Sequence, residues 1–422
     1  MSAQTAAPGV SERLDRTVWR TVLPAGTEVL SERIDSVRSV ALGIWFRQGT
    51  AHELPAERGI SHLLEHMVFK GTESRSARRL ALEIERLGGS LDAFTTHEYT
   101  TFQVRVPDEY LENALDVLAD LSFQPALREA DLELERNVVL EEIARVEDTP
   151  EELVFERHAE FLYGGHPYGV PILGTADTVG SIDAAALRRL HREAYHPGNA
   201  VVAAAGHLEH ARLVGLLLPL LPPAPAVAPP GIAPVTAGGT GLLEVTRSDG
   251  RQTHIVAGAL GVRYSDPLRH ALILVSTALG GGMSSRLFQR IREELGLAYQ
   301  VYTFHAFYGR SGHIGAYVGT QPEAATRARE TLLDELERVA TTGLSASEVE
   351  VTREQLRGQL HLSVESTAFR MERLAAGALH GEPYRSIEET AGRIAAISLE
   401  DANAAASLLH PDRVAVLELT PA

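Results

Sequence analysis

Two histidines and one glutamate lie close together between Gly59 and Gly71. The apolar residues around them recur at the spacing of one helical face, so this stretch predicts a short helix. Residues three and four apart on a helix are neighbours, and His62, Glu65 and His66 therefore converge. Two imidazoles at this spacing can bind one zinc ion at about 2.0–2.1 Å, which leaves Glu65 free to take a proton from a zinc-bound water. The alternative is a helix with two surface histidines.

The residue types available restrict any metal site to histidine and carboxylate ligands. The chain contains no cysteine, which excludes disulfides, thiolate ligands and cysteine nucleophiles. The order His-x-x-Glu-His occurs in the inverted zinc peptidases. A motif this short also arises by chance in a chain with this much His and Glu, so other residues must support it.

Two further carboxylates lie on a long helix predicted from residues 128 to 145. On a wheel of about 100° per residue, Glu135 and Glu142 fall inside the apolar arc, whereas Glu141 falls on the opposite side. An unpaired carboxylate is costly to bury, so each of the two requires a cation or a strong hydrogen-bond donor. Zinc held by two neutral imidazoles is one such cation, and arginine side chains are the alternative.

The rest of the first half alternates strands and helices around these two helices. Strands are predicted at residues 18–23, 27–33, 39–47, 90–96, 100–106 and 200–205, and helices at 76–87, 110–121 and 181–195. Residues 158–174 predict a loop-rich stretch that contains His166. Pro167 restricts the backbone of this histidine, which favours a packing or hydrogen-bonding role over a metal-binding one.

A proline-rich stretch divides the chain nearly in half, and the halves resemble each other. We expect a disordered tail at residues 1–10, a first unit at 11–218, a linker at 219–234 and a second unit at 235–422. The long helix has a counterpart at 348–359, in which Gln359 stands opposite Glu142 and Thr352 opposite Glu135. The predicted fold class is α+β, with two tandem homologous α/β units, each a sheet with helices packed on one face.

The second half lacks the metal motif. The helix predicted at 270–279, the counterpart of the metal-motif helix, has no His-x-x-Glu-His, so only the first half is expected to bind the metal. A glycine-rich loop at 280–283 leads into a helix that Ser284 or Ser285 would cap and Gly296 would end. The loop matches neither the P-loop nor the dinucleotide-binding pattern, which argues against a nucleotide site.

Composition excludes several classes of partner. The formal net charge of −17 argues against nucleic acid, whose phosphates require clustered Lys and Arg. No apolar run reaches the roughly 18 residues of a membrane span, and the first residues lack the basic flank and apolar core of a signal peptide. We therefore expect a cytoplasmic protein that binds no membrane, with at least two domains in its 422 residues.

Several motifs, in this order, resemble the pitrilysin or insulinase type of zinc peptidase, and in particular the short bacterial members that are similar to the mitochondrial processing peptidase. The resemblance covers essentially the whole chain. It rests on the segments 62–72, 88–95, 135–142, 285–288 and 292–299.

The resemblance implies roles for the residues of the first half. His62, His66 and Glu142 would bind zinc, one ion per chain. Glu65 would be the general base and would also protonate the leaving amine, while Glu135 would support the ligands from behind. The position of Glu142 on the helical wheel agrees with this assignment.

The resemblance also implies a closed catalytic chamber that Arg292 and Tyr299 line, holding the substrate carbonyl and stabilising the oxyanion. Substrate would add to the sheet as an extra strand beside residues 90–96. The substrate-binding residues there would be Asp92, Ala93 and Phe94. The family usually has Asn where this chain has Asp92, and a carboxylate cannot donate a hydrogen bond unless it is protonated.

The resulting prediction is a zinc metalloendopeptidase that hydrolyses peptides or unfolded segments. One alternative is a non-catalytic core or scaffold subunit, although such subunits usually lose the zinc ligands and this chain keeps them. Another is a processing peptidase for one dedicated precursor. Because the metal and the pair Arg292 and Tyr299 lie in different halves, we expect a homodimer whose active sites each take the metal from one protomer and this pair from the other.

Overall fold

The computed structural model describes residues 9–224, 231–236, 238–247 and 250–422. Within these residues the chain forms two compact units, each built around one β-sheet. The predicted fold class, two tandem α/β units, is confirmed. The expected tail at 1–10 and linker at 219–234 lie partly outside the described residues.

The strands of the described residues form one seven-stranded and one five-stranded sheet. In chain order they are β1 (Val10–Arg13), β2 (Val18–Val22), β3 (Glu28–Arg33), β4 (Ser39–Phe46), β5 (Ser90–Thr95), β6 (Thr100–Pro107), β7 (Ala200–Gly206), β8 (Gly241–Arg247), β9 (Thr253–Gly261), β10 (Ala298–Phe307), β11 (Gly312–Thr320) and β12 (Ala415–Pro421). The larger sheet has the order β1-β2-β3-β7-β4-β6-β5 and the smaller one β10-β11-β9-β12-β8. Neighbouring strands are antiparallel except for β3 with β7 and β8 with β12. Because β5 is the last strand in the order of the larger sheet, it is an edge strand.

The α-helices of the described residues include those predicted in the metal-motif stretch and at 76–87, 110–121, 128–145, 270–279 and 348–359. They are α1 (Ile60–Val68), α2 (Ala77–Arg86), α3 (Leu111–Phe123), α4 (Glu129–Glu147), α5 (Pro150–Tyr163), α6 (Ala176–Ser181), α7 (Ala184–Ala194), α8 (His210–Leu217), α9 (Arg269–Gly280), α10 (Ala325–Thr342), α11 (Ala346–Ser363), α12 (Thr367–Leu379), α13 (Ile387–Ala395) and α14 (Leu399–Ala406). The single helix predicted at 181–195 is wrong in one respect. Two helices meet there, because the Asp183 carboxylate accepts from the N–H of Ala186 at 2.7 Å and begins α7.

Helices cover both faces of the seven-stranded sheet. Side chains alternate along a strand, so Leu42 of β4 packs in the core with α1 and α3, while Trp45 packs on the opposite face with α12. The buried carboxylate of Glu32 forms ion pairs with Arg370 and Arg373 of α12. The prediction that helices pack on only one face of each sheet is therefore wrong, because α12 covers the second face of this one.

The five-stranded sheet is also covered on both faces, by α9 and α10 on one side and α5 on the other. Val154 of α5 packs there against Val256 and Tyr317. The loop-rich stretch predicted at 158–174 is therefore partly wrong. Its first residues belong to α5, which continues until Gly164 ends it in the left-handed region with φ of 55°.

Beyond α5, His166 has the hydrogen-bonding role predicted for it. Its Nδ1 accepts from the N–H of Tyr168 at 3.2 Å, and its Nε2 lies 3.0 Å from the carbonyl oxygen of Ala233. These contacts use both ring nitrogens, which leaves neither for a metal.

The helix predicted after the glycine-rich loop is a π-helix, Phe288–Glu294. The expected cap is wrong, because the Ser285 hydroxyl donates to the carbonyl of Gly282 at 2.6 Å, and Leu287 precedes the first π-helical residue. Gly296 follows in the left-handed region with φ of 59°. A π-helix is rare and is frequently found at functional sites.

The compact units differ from the linear halves in two segments. Residues 144–171, with α5, belong to the second unit, and residues 363–386, with α12, belong to the first. The domain boundaries at 11–218 and 235–422 remain predictions from the sequence. Within the described residues, no helix combines the length and the apolar composition needed to cross a membrane.

Candidate metal centre

Gly59 and Glu53 determine where α1 begins. Gly59 has φ of 90°, and a Cβ atom there would lie 2.4 Å from the carbonyl oxygen of Leu173, so only glycine fits. The Glu53 carboxylate accepts from the N–H groups of Gly59 and Ser61 at 2.8 Å each. These bonds satisfy N–H groups that have no partner inside the helix. Burial nevertheless raises the pKa of Glu53 to about 7.

The three residues predicted as metal ligands converge. The Nε2 atoms of His62 and His66 lie 3.7 Å and 3.6 Å from Oε2 of Glu142. All three ligand atoms lie within 4.8 Å of one another. Two ligand atoms bound to one tetrahedral zinc ion at about 2.1 Å are about 3.4 Å apart, so these residues fit zinc. Glu141 is exposed, as the helical wheel predicts.

His62 carries the charge state that a metal requires. Burial, with a smaller effect of His66, lowers the pKa of His62 to about 4. The imidazole is therefore neutral at pH 7, which is the form that binds a metal. Its ring centroid lies 4.7 Å from that of His66, and its buried Nδ1 has no hydrogen-bond partner among the described residues.

Glu135 supports His66 from behind. Its Oε2 lies 3.1 Å from Nδ1 of His66, and its Oε1 lies 2.5 Å from Nζ of Lys70. A carboxylate that accepts from Nδ1–H leaves the Nε2 lone pair for a metal. From the sequence, the cation beside Glu135 could be zinc or an arginine side chain. The structure shows that it is Lys70.

Glu65 lies beside the ligands without joining them. Burial raises the pKa of its carboxyl group, while the Thr95 hydroxyl opposes this by donating to Oε2 at 2.6 Å. The side chain is buried, with 9% exposed. A buried carboxylate with a raised pKa is suited to take a proton near neutral pH.

The edge strand β5 presents the predicted substrate-binding residues. Asp92 and Phe94 are exposed on one face, and Ala93 points to the other face. The Phe94 ring lies 6.2 Å from that of Tyr99. Among the described residues, Asp92 forms no ion pair. The strand thus leaves a carboxylate and an aromatic ring available at the sheet edge.

Arg292 and Tyr299 belong to the second unit and contact each other. The guanidinium of Arg292, on the π-helix, lies 4.5 Å from the ring centroid of Tyr299 and 4.7 Å from that of Phe288. Its Nη1 also donates to the carbonyl of Tyr299 at 3.0 Å. Tyr299 is 76% exposed, so its hydroxyl is available to a ligand.

Sequence reasoning did not assign roles to Glu53, Lys70 or Thr95. Only Lys70 left a usable signal, because it stands four residues after His66 and buried carboxylates require a cation. The contact between Thr95 and Glu65 joins a strand to a helix 30 residues away, and no local pattern predicts it.

Comparison with known proteins gives consistent results. Residues 28–176 match the family model "Insulinase (Peptidase family M16)", and residues 181–356 match "Peptidase M16 inactive domain". An uncharacterized zinc protease of Streptomyces coelicolor is 37% identical over 92% of this chain and 86% of its own. One of Bacillus subtilis is 35% identical over 94% of this chain and 96% of its own. The chain belongs to the insulinase family, peptidase family M16.

Two solved structures share the fold. A peptidase M16 inactive domain from Pseudomonas fluorescens has a TM-score of 0.89 at 23% identity, covering 96% of this chain and 98% of its own. A protease from Helicobacter pylori has a TM-score of 0.90 at 19% identity, covering 98% of this chain and 100% of its own. The family name "inactive domain" for residues 181–356 agrees with the absence of His-x-x-Glu-His from α9.

Proposed function

We propose that this family member is a zinc-dependent endopeptidase that cleaves peptides or unfolded segments. The observation that supports this best is the convergence of two Nε2 atoms and one carboxylate oxygen, with the buried Glu65 beside them. His62, His66 and Glu142 would hold the ion, one per chain. Bound zinc would polarise the substrate carbonyl and make a water acidic enough to ionise near neutral pH.

Glu65 would carry the proton during hydrolysis. Its carboxylate takes one proton from the attacking water and gives it to the leaving amine nitrogen when the C–N bond breaks. The burial that raises its pKa favours holding this proton between the two events.

The edge strand β5 would bind the substrate backbone. The N–H of Thr96 donates to the carbonyl of Tyr99 at 2.8 Å. Backbone groups alternate along an antiparallel strand, so the N–H groups of Ala93 and Leu91 point away from β6 and are available to an added strand. Alternate substrate side chains would then meet Asp92, which accepts hydrogen bonds and favours a substrate residue that donates them.

Arg292 and Tyr299 would stabilise the oxyanion in a closed chamber. The guanidinium contacts two aromatic rings, which reduces the entropy lost when it binds a ligand. We further propose a cytoplasmic homodimer in which each site combines the metal of one protomer with this pair of the other. Tyr299 is exposed on the second unit, which supports a contact between its side chain and a partner protomer.

The experiment that tests the function compares substrates and metal content. Zinc-loaded protein is incubated with a mixture of unstructured peptides and, separately, with a stably folded protein. We expect cleavage of peptide bonds within the unstructured peptides and none in the folded protein, with activity lost after a chelator removes zinc and restored by added zinc. Absence of cleavage by zinc-replete protein, or full activity after zinc removal, would contradict the proposal.

A further inference from the structure

The chain has one lysine. Of its 39 lysine and arginine residues, only Lys70 is a lysine. This residue comes directly after Phe69, which ends α1, and its Nζ contacts the buried carboxylate of Glu135. All the other residues of this group are arginines. The one lysine ammonium group of the chain therefore lies at the candidate metal centre.

The two oxygens of Glu135 have different partners. Oε1 contacts Lys70 at 2.5 Å, and Oε2 contacts Nδ1 of His66 at 3.1 Å. Glu135 is only 5% exposed. Burial of this carboxylate is costly without a cation, and His66 must stay neutral to bind a metal, so Lys70 supplies the positive charge.

The shape of the cation matters as well as its charge. An ammonium group is a compact point charge that can contact one oxygen and leave the other to His66. A guanidinium is a planar fork that pairs with both oxygens of a carboxylate. An arginine at position 70 would therefore compete with His66 for Oε2 of Glu135.

We propose that Lys70 is a positioning residue for the metal centre. Its ammonium group occupies only Oε1 of Glu135, so that Oε2 accepts from Nδ1–H of His66. That hydrogen bond fixes the ring tautomer whose Nε2 faces Glu142. This inference rests on the proposed zinc site and adds a specific requirement for lysine.

Zinc affinity tests the requirement directly. The zinc dissociation constant of Lys70→Met, Lys70→Arg and Glu135→Gln is measured by competition with a chromogenic chelator, and Arg128→Met serves as the matched control. Arg128 is an exposed neighbour whose guanidinium donates to the carbonyl of Lys70, and it does not contact Glu135. We expect all three test variants to bind zinc about 10- to 100-fold more weakly and the control to change less than about threefold.

Two results would overturn the proposal. Wild-type affinity in Lys70→Met would mean that the lysine has no role, and wild-type affinity in Lys70→Arg would mean that any cation suffices. Circular dichroism of the metal-free variants shows whether each one is folded. If Lys70→Met does not fold, Glu135→Gln tests the same contact, because it removes the carboxylate instead of the ammonium group.

A second readout requires neither zinc nor activity. Protein labelled with ¹⁵N at the lysine side chain gives a single Nζ signal, because Lys70 is the only lysine. In metal-free protein we expect this signal to shift in Glu135→Gln and to stay in place in Glu133→Gln, whose exposed carboxylate pairs with Arg136 instead. An unmoved signal in Glu135→Gln overturns this inference alone, whereas a wild-type protein that binds no zinc overturns the proposed function and this inference together.

Discussion

The hydroxyl of Thr95 donates a hydrogen bond of 2.6 Å to Oε2 of Glu65. Thr95 is the last residue of β5, so the edge strand proposed to bind substrate also holds the proposed base. The Thr95 hydroxyl has one proton, and because a carboxylate can only accept, that proton lies in the contact with Glu65 rather than in the longer contact of 3.3 Å with Thr100. Oε1 of Glu65 then remains the oxygen available for proton transfer.

Thr95→Val should lower kcat and leave zinc binding unchanged. Valine keeps the shape and removes the donor to Glu65, and a hydrogen bond to a charged group contributes about 1.5–3 kcal/mol, or about a 10- to 100-fold effect on rate. Thr95→Ser should restore most of the activity. Thr101→Val, at a buried position of β6 without a bond to Glu65, is the control, and an equal loss in this variant would show that general disruption of the sheet is the cause.

Glu142→Gln should lose zinc, whereas Glu141→Gln should retain it. Oε2 of Glu142 faces both imidazoles, and Glu141 is exposed on the other side of α4. Zinc content after dialysis against a weak chelator measures the difference. Equal zinc loss in the two neighbouring variants would contradict the ligand assignment.

Mixing two inactive variants should recover activity if sites are shared between protomers. Glu65→Gln carries its defect beside the metal, and Tyr299→Phe carries its defect in the second unit. A mixed dimer then has one site with both defects and one with neither. With free subunit exchange, half of the dimers are mixed, and about a quarter of wild-type activity should return. No recovery despite demonstrated exchange would mean that each site is built within one chain.

Acid should destabilise the fold through His158 of α5. Burial lowers the pKa of His158 to about 4, and its Nε2 lies 3.1 Å from the carbonyl oxygen of Ala415. The folded pKa is below the unfolded value of about 6.5, so this contribution to stability is complete above about pH 6.5 and decreases as pH falls towards 4. The loss between pH 8 and pH 5 is about 2 kcal/mol.

Replacing His158 with Gln should therefore reduce the fall in melting temperature between pH 8 and pH 5. His410→Gln, at an exposed position, is the control and should keep the wild-type difference. If the His158 variant loses as much stability in acid as wild type does, this residue is not the source of the effect.

Local spacing predicted the parts of the site that lie on one helix. The orientation of His62 and His66 on α1, and of Glu142 rather than Glu141 on α4, follows from helical geometry alone. The partners of Glu135 and Glu65 were not predictable in the same way. Lys70 and Thr95 reach them from other elements, and only the fold determines those contacts.

The assignment of helices to sheets was the main structural feature that the sequence did not reveal. Neither α5 nor α12 was predicted from the sequence, and amphipathic periodicity does not indicate which sheet a helix covers. α5 lies in the first half of the chain and belongs to the second unit, and α12 lies in the second half and belongs to the first unit. The buried pairing of Glu32 with Arg370 joins residues 338 positions apart, which no local pattern encodes.

The most direct test of the account is the zinc content and peptidase activity of Glu65→Gln, measured on one preparation beside wild type. The variant removes the proposed base and no ligand, so it should retain wild-type zinc while peptide hydrolysis falls by about 10²- to 10⁴-fold. Peptide hydrolysis at the wild-type rate in a zinc-replete Glu65→Gln protein would contradict the central claim.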